Sequence, residues 1–444
     1  MRKMNIVYIH AHDLGRYCEP MGYNIPAPNL MRLAQQGVLF RQCHASAPSC
    51  GPSRAALVTG QYPHACGMMG LPSPKLGYQL NDYSHHIAAY LREHGYETAL
   101  SGVQHVAREP FVIKEEVLAY DHFLNHTPKG RQEFDPALTA SAAVDFLMQD
   151  HEKPFFLSVG FLDPHRANRE DPRIFIESQP MVEPADIEER ARYCQPWPHM
   201  PDNPVTRREM ANFKMGVELL DNNVGKLLMA LDTPELRENT LVIFTTDHGP
   251  GVCEMKCTLS DRGTGVILIM RGPSNTIFTD GQIIDGMTQH LDLYPTICTM
   301  LGLEHPAGLN GKSLIPLVNG WDQIHDAIFT EQTYHYSDDP RPLRAVRTER
   351  YKYIRSYKAD QPRGVDRGPA EAFWSQHGYH DMPFENEMLY DLYFDPHEMN
   401  NLARSDNHAA VLGEMRTRLH EWMTSTNDPM MDGEIPVPPV QRGH

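Results

Sequence analysis

No apolar run in this sequence is long enough to cross a bilayer, so a membrane anchor is not expected. The amino terminus also lacks the apolar core of an export signal. Met1-Arg2-Lys3-Met4 leads directly into the short run Asn5 to Ile9, which reads as a buried first strand. Reduced thiols and a cytoplasmic location are the matching expectations. Positive charge is scarce: 40 Lys and Arg against 57 Asp and Glu give a formal net charge of -17, which repels nucleic acid and anionic membrane surfaces. An anionic substrate would therefore need a locally positive site. There is no internal repeat, and biased composition is confined to the Pro-rich tail after Asp428, which reads as a surface-hugging or loose end. The eight cysteines are scattered. Cys253 and Cys257 are separated by three residues, but no second Cys or His pair at matching spacing completes a zinc-type set.

What is present is an ordinary folding composition, 41% hydrophobic and 22% charged. Through the first three hundred residues, short apolar runs alternate with amphipathic stretches, the pattern of an α/β sheet with helices on both faces. Strands are predicted at Asn5 to Ile9, Tyr96 to Leu100, Pro154 to Phe161 and Thr240 to Thr246. Helices are predicted over Pro28 to Gln36, Ile87 to His94 and about Arg207 to Leu231, the last with Leu220, Val224, Leu227, Leu228 and Leu231 at core-packing spacing. Past about Asn319 the strands become shorter and more polar (Arg344 to Thr348, Tyr351 to Arg355), ahead of a terminal helix near Ala409 to Met423. Two domains follow, residues 1–320 and a small α+β unit over 321–444.

Cys50 stands at the start of a short helix opened by Pro52 and stopped by Gly60. Unpaired N–H groups and the positive dipole end favour negative charge there, so the position suits an anionic nucleophile or a tetrahedral anion. A lone cysteine there would ordinarily be structural, and the surrounding string changes that reading. Cys50-Gly-Pro-Ser-Arg54-Ala-Ala-Leu57-Val-Thr59-Gly60 resembles the sulfatase signature. The resemblance runs on through Ala11-His12-Asp13-Leu14-Gly15, Thr246-Asp247-His248-Gly249 and Asp395-Pro396-His397-Glu398, and is greatest to the heparan N-sulfatase group.

That resemblance implies an alkaline-phosphatase-like fold and a sulfatase acting on a small sulfate ester or sulfamate, a sugar or an aryl sulfate. It also implies that a formylglycine-generating enzyme oxidises Cys50 to formylglycine, whose hydrate offers one hydroxyl as nucleophile and another to expel sulfate. Arg54 would hold that residue. One divalent ion, Ca²⁺ or Mn²⁺, would be bound by His12, Asp13, Asp247, His248 and the modified Cys50. His105 would act as base, with His165 and Lys256 protonating or stabilising the leaving atom. Two departures from the family pattern stand out. His12 replaces a usual Asp, which weakens the expectation of Ca²⁺ and raises that of Mn²⁺ or another transition ion. Val103 replaces a sulfate-gripping lysine, for which Arg166, Arg262 and His10 are candidate substitutes. A phosphonate monoester or phosphodiester hydrolase of the same superfamily is one alternative, and a non-catalytic binding homologue is another. The pocket segments Gln195 to Val205 and Asp360 to Asn386 carry no readable substrate code.

Overall fold

The computed structural model describes residues 4–73, 75–107, 115–125, 135–166, 186–358, 368–433 and 435–442. Part of the second pocket segment, residues 360–367, lies outside them. Among the described residues, nine strands form the large sheet: β1 Asn5–Ala11, β2 Val38–His44, β3 Glu97–Gly102, β4 His122–Phe123, β5 Phe155–Gly160, β6 Thr240–Thr246, β7 Gly265–Arg271, β8 Gln282–Ile284 and β9 Thr288–Gln289. Their order is β4-β3-β5-β1-β6-β7-β2-β8, with β9 beside β2. β1 runs parallel to both β5 and β6, and β7 runs antiparallel to β6 and β2. The central strands are therefore apolar on both faces, as a sheet covered on both sides requires.

Alternation along β1 shows the layering directly. Val7, Ile9 and Ala11 enter a core with Leu30 and Leu33 of α1 (Pro28–Gln36) and with Val217, Leu220, Val224 and Leu228 of the Pro204–Leu231 helix. Ile6 and Tyr8 point the other way, into a second core with Ala55, Leu57 and Val58 of α2 (Cys50–Thr59). The long helix begins three residues before its apolar period does, because Asn203 and Thr206 form a reciprocal capping box around Pro204. Likewise α2 starts at Cys50, ahead of Pro52, and ends at Gly60 in a left-handed conformation (φ 64°).

A separate antiparallel sheet follows, in the order β10 (Ile328–Gln332), β11 (Leu343–Arg347), β12 (Tyr351–Ser356), β13 (Glu387–Asp391). Val346, Tyr353 and Leu389 pack against Leu412, Met415, Leu419 and Trp422 of the Ala409–Ser425 helix, and the same cluster takes in Ala56 of α2 and Tyr62 just beyond its end. The small sheet is thus seated on the helix that carries Cys50. The tail is pinned to the surface: Met430 is buried and the Val440 N–H donates to the Leu76 carbonyl at 3.3 Å. None of the eight cysteines, all among the described residues, is in a disulfide.

Candidate active site

Parallel pairing sets Ala11 opposite Thr246, so the residues following β1 and β6 emerge side by side at one sheet edge. These are His12-Asp13 and Asp247-His248. Asp13 takes a left-handed backbone (φ 55°), and its N–H donates to Asp247 Oδ1 at 2.9 Å. His12 Nδ1 lies 2.9 Å from Asp13 Oδ1 and 3.2 Å from Asp247 Oδ2. Gly249 is required next, because a Cβ there would sit 2.0 Å from the Arg262 carbonyl oxygen.

From above this edge, α2 brings in Cys50. Its Sγ lies 3.3 Å from His248 Nε2. One turn on, Ser53 Oγ donates to the Asp247 carbonyl at 2.5 Å; Arg54 donates through Nε to Asp247 Oδ2 and through Nη2 to the Ala11 carbonyl, both at 3.3 Å. The first turn of α2 is thereby bolted to the ends of both strands. His12, Asp13, Cys50 and Asp247 bring potential ligand atoms within 4.8 Å of one another, and so do His12, Cys50 and His105.

Electrostatics sort these groups by protonation. Burial pushes the carboxyls of Asp13 and Asp247 upward. The charges around them reverse the effect: Lys256, His165 and His248 hold Asp13 well below the usual range, and His12, His248 and Arg54 do so for Asp247. Burial lowers His12 and His105, the latter strongly, so both rings are neutral. Burial raises the Cys50 thiol well above its ordinary value; Lys256 opposes this, and the Asp247 and Asp13 charges add to it. Two ionised carboxylates facing a neutral imidazole beside Cys50 form a donor set that fits a divalent cation, with mixed N and O chemistry.

The loop after β5, on the other side of β1, delivers His165. Lys256 Nζ donates to Asp13 Oδ2 at 3.0 Å and lies 3.3 Å from His165 Nε2, which is itself 3.7 Å from Asp13 Oδ2. The His165 ring meets His12 edge-on at 4.5 Å and the His105 ring does so at 5.2 Å. Every residue the sequence nominated for chemistry or metal binding therefore lies in one cluster.

The candidate substitutes for the lysine missing at Val103 are engaged with other partners. Arg166 is paired with Glu209, and Arg262 donates to the carbonyls of His397 and Glu254. His10 is hydrogen-bonded to the Tyr8 hydroxyl, and burial lowers its pKa so far that it carries no charge. Among the described residues, Cys253 and Cys257 join no group of potential ligands. The sequence reading also missed two contacts. His335 Nδ1 lies 2.9 Å from Ser49 Oγ, next to Cys50. His290, lowered to about 3 by burial, bonds Thr245 Oγ1 at 3.0 Å beneath Ser53. Neither histidine belongs to a local motif; only the fold brings them here.

Comparison with known proteins gives a family model, described as Sulfatase, that matches residues 4–303, and a second, described as N-sulphoglucosamine sulphohydrolase, C-terminal, that matches residues 256–365. The chain is 27% identical to human N-sulphoglucosamine sulphohydrolase, over 96% of this chain and 91% of that protein. It is 30% identical to human arylsulfatase A, over 90% of this chain and 83% of the relative. A solved structure in complex with its substrate D-glucosamine-2-N,6-O-disulfate superposes with a TM-score of 0.72 at 20% identity, covering 96% of this chain and 99% of that one, which is a likeness of fold.

Proposed function

Because the chain belongs to the sulfatase family, we propose that it hydrolyses the sulfate ester or sulfamate of a sulfated sugar at the cluster around Cys50. The observation that carries this reading is the convergence of Cys50, at the N-terminus of α2, with Asp13, Asp247, His105, His165 and Lys256. His12, Asp13, Asp247, His248 and the modified Cys50 would hold one divalent ion, which would supply Lewis-acid charge for a sulfate oxygen. The imidazole at His12 favours Mn²⁺ or another transition ion over Ca²⁺. Formylglycine at Cys50 would supply paired hydroxyls, one for attack and one for release. A buried, protonated thiol offers neither, so the raised pKa of Cys50 supports the need for modification.

The remaining chemistry belongs to side chains already in place. Arg54 orients the first turn of α2 and holds Asp247 as an acceptor. His105, neutral by burial, takes a proton at the ring nitrogen facing Cys50. Lys256 and His165 share one contact and act as a donor pair, giving a proton to the departing oxygen or nitrogen while the lysine charge offsets the developing negative charge.

The test is side-by-side turnover by enzyme produced with a formylglycine-generating enzyme and loaded with Mn²⁺ or Ca²⁺. The substrates are an aryl sulfate, glucosamine N-sulfate, O-sulfated sugars and an aryl phosphodiester. Sulfate turnover well above phosphodiester turnover is expected. The reverse order would replace this reading with a phosphodiester or phosphonate hydrolase.

A further inference from the structure

His335 stands on the segment that joins β10 to β11, and the backbone there is held against the loop leading into Cys50. The Glu331 N–H donates to the Ser46 carbonyl and the Tyr334 N–H to the Met69 carbonyl, both at 2.9 Å, while the His335 carbonyl accepts from the Leu71 N–H at 3.3 Å. So anchored, the ring brings Nδ1 to 2.9 Å from the Ser49 hydroxyl.

Ser49 is the N-cap residue of α2, extended at φ −140° and ψ 138°. A serine there ordinarily turns its hydroxyl inward, to accept from the N–H of the second or third helical residue. The third residue of α2 is Pro52, which has no N–H, so Gly51 is the donor left for it. The hydroxyl makes no such bond and is engaged with His335 instead. The Ser53 N–H is satisfied by the Ser49 carbonyl at 2.9 Å, but among the described residues the N–H groups of Cys50 and Gly51 have no hydrogen-bond acceptor. Helix geometry aims them out of the N-terminal end of α2, where Cys50 Sγ lies 3.3 Å from His248 Nε2. A second unfilled group lies in the same cluster: His12, fully buried and close enough to Cys50 to share an ion with it, has no partner for Nε2 among the described residues. Buried polar groups left unmatched are costly, and a ligand with oxygen acceptors would remove the cost at the two N–H groups.

We propose that His335 is a positioning residue: by holding the Ser49 hydroxyl it keeps the first turn of α2 uncapped, so that the Cys50 and Gly51 N–H groups donate to an oxygen of the sulfate under attack. The small sheet thereby contributes to a site built on the large one. The proposal rests on the sulfatase reading above. Its test measures aryl sulfate kcat/KM per aldehyde-bearing enzyme, and the inhibition constant of inorganic sulfate, for wild type, His335→Phe, His335→Asn, Ser49→Ala and the double variant Ser49→Ala/His335→Phe. In His335→Phe the released hydroxyl caps Gly51, so kcat/KM should fall about tenfold and inorganic sulfate should inhibit about tenfold more weakly. His335→Asn, whose amide can still hold the hydroxyl, should recover part of both. Ser49→Ala removes the competing hydroxyl, so the double variant should return to within about threefold of wild type. A ring that served only to pack the hairpin would cause the same loss with or without the Ser49 hydroxyl. That result, or a His335→Phe enzyme indistinguishable from wild type, overturns the proposal and leaves the sulfatase reading standing. A wild type that turns over no sulfate overturns both. If circular dichroism shows His335→Phe to be unfolded, His335→Leu takes its place in the same comparison.

Discussion

Asp13 holds a left-handed backbone that costs a non-glycine residue about 1 kcal/mol or more, and the hydrogen bond from its N–H to Asp247 is part of what keeps it there. Strain of this kind persists where the neighbours over-determine it, and here they do so by aiming two carboxylates at one point. Asp13→Ala and Asp247→Ala should each lower kcat/KM by about 100-fold or more. Both should reduce bound metal measured by elemental analysis and leave the far-ultraviolet circular dichroism intact; full metal content with lost activity would remove these residues from the ligand set. The donor pair makes a different prediction. His165→Ala and Lys256→Ala should each slow a poor leaving group by about 100-fold, while an activated aryl sulfate, which leaves without a proton, should lose less than about tenfold. Equal losses on the two substrates would take both residues out of the acid role.

At the scale of elements, the small sheet is joined to the turn that follows α2 through a buried polar network. His64, on the short turn Pro63–Cys66, lies 2.7 Å from Glu331 of β10, and Arg344 of β11 pairs with Asp428 and Glu331. His64, Glu331 and Asp428 are close enough to hold an ion, but Arg344 already supplies the positive charge there. Burial pushes the His64 pKa down, and the charge and hydrogen bond of Glu331, with Asp428, outweigh it, so the net shift is upward. A pKa raised by folding gives stability that is complete below the unfolded value, about 6.5, and is lost as pH rises through the folded value. His64→Gln should therefore cost about 3 kcal/mol near pH 6 and less near pH 9, as measured by urea unfolding at both. A cost independent of pH would show that the ring acts only by packing against Trp422.

The same elements show what local sequence could and could not tell. Pro28 and Gly37 bound α1 as read, because a proline start and a glycine stop act within one turn. The long helix was read short at its start, since its cap lies outside the apolar period. Cys50, Asp13 and Asp247 were legible as a set through their motifs. The partners of Arg166 and Arg262 could not be read, because Glu209 and His397 are distant in the chain and nothing beside either arginine marks them. His335 was illegible for the same reason: the hairpin between β10 and β11 acquires its neighbours only when the small sheet docks.

Taken whole, the molecule places a buried, protonated thiol at the N-terminus of α2, ringed by two ionised carboxylates, neutral imidazoles and one lysine. A thiol so buried and so surrounded by negative charge is a poor nucleophile at neutral pH, and it has no second hydroxyl with which to expel sulfate. The account therefore turns on the chemical state of Cys50. The decisive measurement is mass spectrometry of the peptide containing Cys50, run beside aryl sulfate turnover, on protein made with and without a formylglycine-generating enzyme. Activity should rise in proportion to the aldehyde-bearing fraction and should be absent from Cys50→Ala; full multiple turnover by protein containing only unmodified Cys50 would contradict the account.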